Sequence, residues 1–229
     1  MKGNRLLDDL KATEYQTLLP HLQEMSIERG RLIAEAGAPL PYLYFPIEGV
    51  LSLVGVTESG STVEVADVGR DGVATVSAIF GKGRLPFNVI TKIAGRALRL
   101  PTELVARQVR ECGELHERLL AAAESVIAQI SQSAVCNRYH NAKQRLARWL
   151  LTTADRAENL ALPLTHEFMS SMVGGPRSAV TEASAELRAA GAIEYSRALL
   201  EIRAVELLRG ESCECYERVR WGASEVSQR

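Results

Sequence analysis

Before residue 100 the apolar positions fall in short runs punctuated by glycine: Arg31-Leu-Ile-Ala-Glu, Tyr42-Leu-Tyr-Phe, Val50-Leu-Ser-Leu-Val, Thr62-Val-Glu-Val-Ala, Asn88-Val-Ile-Thr-Lys-Ile and Ala97-Leu-Arg-Leu. Short β-rich runs separated by turn formers predict an all-β sandwich or barrel. A short amphipathic helix over roughly 8–22 precedes it. From Thr102 to Thr153 the pattern changes. Only Gly113 interrupts it, proline is absent, and Ala, Leu, Glu, Gln and Arg dominate, so the spacing predicts helix. Within it Leu119, Ala123, Val126, Ile130, Ser133 and Asn137 alternate spacings of four and three, which is the a/d seam of a coiled coil. Leu120, Ile127 and Ala134 lie beside that seam. One stripe is expected to face a partner helix while the wider face packs on the β domain; the alternative is that all of these residues cover a core. Asn137, polar at a seam position, would set register.

After Asp155 the chain predicts two short helices around a glycine turn. Thr165 is placed to cap a helix over 166–172, Gly174-Gly175 form the turn, and Pro176 opens a second helix running to about Ala190. Gly191 ends it. Ile193-Glu-Tyr-Ser-Arg and Leu199-Leu-Glu-Ile-Arg then read as a hairpin, so the segment is a winged helix-turn-helix. A β domain, a long helix and this winged unit make an α+β chain.

Composition narrows the function. With 229 residues, 46% of them apolar and 24% charged, the chain has the length of two globular domains, which excludes a disordered or fibrous protein. It has no run of 18 uninterrupted apolar residues, and its N-terminus is charged where a signal peptide is apolar, so a cytoplasmic protein without a membrane partner is expected. Four cysteines, Cys112, Cys136, Cys213 and Cys215, are too few and too scattered for a disulfide scaffold, and Cys-Glu-Cys lacks the CxxC spacing of a zinc knuckle. Reduced thiols and no metal are the expectation. Charge is balanced, 27 basic against 28 acidic residues, so any nucleic acid must be held by a local arrangement of cations. Arg138, Lys143, Arg145 and Arg148 form one such run, although a solvated helix face explains it equally well. No Walker loop, GxSxG elbow, HExxH or paired-carboxylate motif is present, and an enzyme is not expected.

The stretches Cys136-Asn-Arg-Tyr-His-Asn-Ala-Lys-Gln-Arg-Leu-Ala-Arg-Trp-Leu-Leu, Leu164-Thr-His-Glu-Phe-Met, Gly175-Pro-Arg-Ser-Ala-Val-Thr-Glu-Ala and Leu187-Arg-Ala-Ala-Gly-Ala-Ile resemble the Crp/Fnr family of bacterial transcription regulators. Cys213-Glu-Cys-Tyr resembles a branch whose sensory domain departs from the cyclic-AMP pattern. The resemblance implies an N-terminal β-roll (a double-stranded jelly-roll) related to cyclic-nucleotide-binding domains over 1–109, a dimerisation helix over 110–137 and a winged helix-turn-helix over 138–229. It implies a homodimer on a palindromic double-stranded DNA operator, with RNA polymerase as a further partner. Arg177 falls on the family's main base-reading position, with Ser178 and Thr181 on the same side of the helix. Glu182 stands where the cyclic-AMP-activated members carry a second arginine; it would either accept from a cytosine or only orient Arg177. Thr165, Ser196 and Arg197 are candidate phosphate positioners. The rival is a sensor whose winged helix contacts a protein instead of DNA.

The sensory domain departs from the family's cyclic-nucleotide pattern. Asp71-Gly72-Val73 replaces the Gly-Glu-Leu ribose segment, and Arg84 is followed by Leu85-Pro86 where Ser or Thr would complete the phosphate grip, so cyclic AMP is not the expected effector. Asp71, Gly72, Val73, Arg84 and Phe87 are candidates for another ligand's pocket, or simply turn residues of the roll. No cysteine precedes Cys112, which closes the family's iron–sulfur route. Haem would need His21, His116 or His140, and lone histidines are usually surface or packed residues. Cys112 and Cys136, placed on one helix, lie about 36 Å apart and cannot pair within a chain; pairing between protomers stays open. No cofactor is expected.

Overall fold

The computed structural model describes residues 3–79, 84–196 and 198–226, and the chain divides into two compact units. The first joins Met1–Leu53 to Asp67–Ile127, and the second joins Val54–Ala66 to Ala128–Arg229.

In the first unit the helix expected over 8–22 is broken into α1 (Arg5–Asp8), α2 (Ala12–Leu18) and a 3-10 turn at Leu19–His21. The break has a capping reason. The Lys11 N–H donates to Glu114 Oε2 (2.7 Å), while Glu14 accepts from the N–H groups of Glu114 and Leu115 (both 2.9 Å). Two carboxylates thus satisfy each other's helix starts, which continuous helix through residue 11 would forbid.

The strands are β1 (Gln23–Ile27), β2 (Leu32–Ala34), β3 (Tyr42–Val56), β4 (Thr62–Val68) and β5 (Asn88–Pro101), in the order β1-β5-β3-β4 with β2 also on β5. Strands β1 and β2 pair antiparallel with β5. Two predicted strand pairs are single strands, because Gly49 and Gly95 do not make turns there. A Cβ on Gly49 would stand 2.4 Å from the Ile93 carbonyl oxygen, and one on Gly95 2.3 Å from that of Glu48. The glycines let the backbones of β3 and β5 cross, a use of strand glycine that pattern alone cannot tell from a turn. Phe45, Leu43, Leu51, Leu53, Leu98 and Leu100 fill the core. Inside it lies a buried ion pair, Lys92 Nζ to Asp67 Oδ2 at 2.7 Å.

Three helices replace the continuous run: α3 (Thr102–Val109), α4 (Glu114–Tyr139) and α5 (Ala142–Ala157). Cys112, at a positive φ of 52°, lies in the turn before α4 and not on one helix with Cys136. The faces of α4 divide the expected stripe. Leu119, Val126 and Ser133 are already buried within the chain, so they are not free for a partner. Leu120 and Ile127 are 47% and 64% exposed, and Ala134 is exposed with them, while Ala123, Ile130 and Asn137 are partly exposed. The open stripe is therefore Leu120, Ala123, Ile127, Ile130, Ala134 and Asn137, again in alternating threes and fours. Helix α4 also has the length and composition of a membrane span, but buried Gln129 and Ser133 fit a helix with one face inside a protein.

The second unit continues through α5, which opens with an Asn141–Gln144 capping box, to β6 (Ala161–Leu162), α6 (His166–Val173), α7 (Arg177–Ala189), β7 (Ile193–Ser196), β8 (Leu199–Ile202), α8 (Val205–Glu211) and α9 (Cys215–Val226). Strand order β6-β8-β7 adds one strand to the expected hairpin. Val54–Ala66 belongs here too: Thr62 Oγ1 donates to the Ser171 carbonyl at 2.8 Å.

Candidate nucleic-acid interface

Helix α6 starts where Thr165 Oγ1 accepts the Phe168 N–H at 3.1 Å, and it buries Met169, Met172 and Val173. The turn that follows needs glycine twice, with φ of 77° at Gly174 and 96° at Gly175. Arg145 Nη2 donates to the Gly174 carbonyl at 3.1 Å, and a Cβ on Gly175 would stand 2.9 Å from that nitrogen. Pro176 serves as the N-cap of α7, one position earlier than expected. Helix α7 turns Val180, Ala183 and Leu187 inward, which leaves Arg177, Ser178, Thr181 and Glu182 together on its exposed face at the N-terminal end. Tyr195 Oη, on β7, donates to the Leu164 carbonyl at 3.1 Å and ties the wing to the entrance of α6.

Arg177 is paired, but not with Glu182. Its Nη2 meets Glu167 Oε1 at 2.7 Å, both side chains being largely exposed. Glu167, which no sequence pattern singled out, is thus the acid that Arg177 meets. Thr181 Oγ1 donates to the Arg177 carbonyl at 2.9 Å. Ser196 is exposed at the end of β7, and Arg197 lies outside the described residues.

The basic run is partly spent inside the unit. Lys143 Nζ lies 2.7 Å from Glu211 and 3.3 Å from Glu186, and these two carboxylates raise its pKa above the usual lysine value. Arg145 holds the Gly174 and Asn137 carbonyls, and Arg138 lies over the Tyr139 ring.

Two of the effector candidates, Gly72 and Arg84, make contacts within the fold. The Gly72 carbonyl accepts from Asn4 Nδ2 (2.9 Å), which also donates to the Pro46 carbonyl (2.9 Å), so the turn holds the N-terminal helix. Val73 is buried, Asp71 and Phe87 are half-buried, and exposed Arg84 donates from Nη1 to the Gly37 carbonyl. Of the haem candidates, His116 Nδ1 lies 2.9 Å from the Val109 carbonyl and His21 is exposed. His140 is different. Its imidazole nitrogen and the sulfurs of Cys136, Cys213 and Cys215 all lie within 4.8 Å of one another. The hydrogen bond between Cys213 and Cys136, aided by nearby Arg148, holds the Cys136 thiol below its usual value despite burial. That same hydrogen bond and then burial push Cys213 up, while burial chiefly raises Cys215. The traces of this group in the sequence are two local pairs, Cys136 with His140 at i, i+4 and Cys213 with Cys215, and nothing along the chain joins them.

The chain matches the family model of the cyclic nucleotide-binding domain over residues 24–112 and that of the Crp-like helix-turn-helix domain over 144–211. It is 24% identical over 176 residues to the global nitrogen regulator of Synechococcus elongatus, spanning 73% of this chain and 79% of the relative. Among solved structures it is similar to FixK2 from Bradyrhizobium japonicum, at TM-score 0.72 and 15% identity, covering 84% of this chain and 98% of that one. A Crp/Fnr-family transcriptional regulator from Thermus thermophilus gives TM-score 0.64 and 23% identity over 85% of this chain and 98% of that one. At these identities the structural likeness is one of fold.

Proposed function

The chain belongs to the Crp/Fnr family of transcription regulators, and from that premise we propose that it is a cytoplasmic homodimer that binds a palindromic operator sequence-specifically and answers to a signal other than cyclic AMP. It acts by binding, not by catalysis, with RNA polymerase as its further partner. The observation that carries the proposal is the exposed N-terminal face of α7, where Arg177, Ser178, Thr181 and Glu182 stand free of the core at the end of a recognition helix that enters a major groove. A guanidinium there suits guanine O6 and N7, and Glu182 suits cytosine N4. The hydroxyls of Thr165 and Ser196 and the Arg197 side chain would fix orientation on phosphates.

Two recognition helices must lie about 34 Å apart to read successive major-groove faces. The α4 stripe through Leu120, Ile127 and Ala134 supplies the apolar seam for a second copy, and a signal at the β-roll acts by shifting the population of α4 pairings. A cyclic phosphate buried without a positioned cation would be costly, and Arg84 is turned to the Gly37 carbonyl. Asp71, Gly72, Val73 and Phe87 remain candidates to line the site of another effector.

The deciding experiment is selection of duplexes from a random pool by the purified chain, followed by a salt titration on the selected and scrambled duplexes. A palindromic consensus bound much more tightly than the scramble is expected; equal, salt-insensitive binding would overturn the proposal in favour of a protein partner. Ile127→Asp should yield monomers on sizing and lose tight operator binding, and an unchanged dimer would remove the α4 stripe from the interface. Calorimetry showing micromolar cyclic AMP binding would overturn the effector assignment.

A further inference from the structure

We propose that Cys136, His140, Cys213 and Cys215 form a closed four-ligand site for one zinc ion. Cys136 and His140 are one helical turn apart at the end of α4, where the His140 N–H still bonds the Cys136 carbonyl at 3.1 Å, so both side chains leave the same face. Cys213 and Cys215 flank Glu214 at the start of α9, and the Tyr216 N–H closes that turn on the Cys213 carbonyl at 3.1 Å. All four residues belong to the second unit, and the fold brings together ligands 73 or more residues apart in the chain.

Two of the six donor–donor distances match the edges of a zinc tetrahedron, and all six fall within 4.8 Å. Zinc holds thiolate sulfur at about 2.3 Å and imidazole nitrogen at about 2.0–2.1 Å, which requires sulfur–sulfur edges of about 3.8 Å and sulfur–nitrogen edges of about 3.6 Å. The Cys136 and Cys213 sulfurs are 3.6 Å apart, and the Cys215 sulfur is 3.5 Å from His140 Nδ1. An iron–sulfur cluster would interpose several irons and sulfides and spread its ligands beyond the 4.8 Å that encloses these four. A disulfide would use two sulfurs and leave the third, and the imidazole, without a role. Three thiolates and an imidazole are a soft donor set suited to zinc, and with four protein ligands no coordination position is left for a reacting water.

The surroundings fit a bound metal. Glu214 Oε2 lies 3.3 Å from His140 Nε2, close enough to accept that N–H and leave Nδ1 to a metal, as in a carboxylate–histidine–metal arrangement. Gln132 Nε2 donates to the Cys215 sulfur at 2.9 Å, as an amide does to a thiolate. Zinc with three thiolates and a neutral imidazole carries one net negative charge, and Arg148 is the cation close enough to act on Cys136. The ion would pin the last turn of α4 to the first of α9, closing a loop that contains the whole helix-turn-helix.

The test is metal analysis of the purified full-length chain, a readout independent of DNA binding. About one zinc per chain is expected, lost from Cys213→Ser and retained by Cys112→Ser. Because Cys213→Ser also alters a buried position and can misfold, the unaltered chain is stripped and refilled with cobalt as well, and should show the visible bands of a tetrahedral ion with thiolate charge transfer. Alkylation gives a third measure: with metal bound only exposed Cys112 should react, and chelation should open the other three. A folded chain that carries no zinc and takes up none on titration would overturn the proposal. So would a Cys136–Cys213 disulfide in the freshly purified protein, or iron with inorganic sulfide in place of zinc.

Discussion

Lys92–Asp67 in the β-roll and Arg177–Glu167 in the helix-turn-helix are ion pairs of the same length, 2.7 Å, in opposite surroundings. The side chains of the first are 0% and 3% exposed, and those of the second 68% and 80%. In the core both charges are shut off from water, so removing either one takes away a close, buried counter-charge of the other. At the surface water and salt compete for both ends, and such a pair opens at a cost of about 0–1 kcal/mol. Distance therefore says little about an ion pair's use. The buried one joins β4 to β5, and the exposed one leaves Arg177 at the surface, free to exchange its partner for the base proposed above.

The largest test removes the buried carboxylate. Asp67→Ala should lower stability by about 3–5 kcal/mol, a fall in Tm on the order of 10 °C for a chain of this size. Thermal unfolding followed by circular dichroism measures it; a change within error would mean that the lysine finds other compensation. Replacing both partners, Asp67→Leu with Lys92→Met, should recover most of that loss in the same assay, because no uncompensated charge stays behind. If the double variant is as unstable as the single, the pair contributes more than mutual neutralisation.

At the exposed pair the effects move from stability to recognition. Arg177→Ala should leave Tm nearly unchanged and cost about 1–3 kcal/mol on the selected duplex, roughly 5- to 150-fold in affinity, with binding to random DNA barely altered. Fluorescence anisotropy on both duplexes reads this out, and equal losses on the two would assign Arg177 to phosphate. Smallest of all is Glu167→Gln. It frees the guanidinium and removes a negative charge beside the proposed DNA-reading face, so operator affinity should rise by no more than about fivefold. A loss of affinity there would mean that Glu167 is needed to aim Arg177 in the complex.

How much of this was legible differs by element. Thr165 as a cap, the Gly174-Gly175 turn and the outward face of α7 could be read directly, because capping, positive φ and 3.6-residue periodicity are local properties of the chain. Glycines at 49 and 95 misled for the same reason: a glycine that relieves a crossing between distant strands looks, along the chain, like one that makes a turn. On α4 the expected stripe includes Leu119, Val126 and Ser133, which the chain itself buries, while Leu120 and Ile127 stay exposed, since Leu119 and Leu120 are equally apolar and only packing decides which one is covered.

The sequence by itself determined the order of the elements, the helix-turn-helix and its exposed arginine, and the departure from the cyclic-AMP pattern, all carried by residues near one another in the chain. Tertiary structure alone decided which face of α4 stays open, that Glu167 and not Glu182 meets Arg177, that Lys92 meets Asp67 in the core, and that two residues at the end of one helix bring their donor atoms within 4.8 Å of two at the start of another. Each of these is a contact between side chains brought together by chain reversal, and neither hydropathy nor spacing records which distant groups a folded chain will place within a few ångströms.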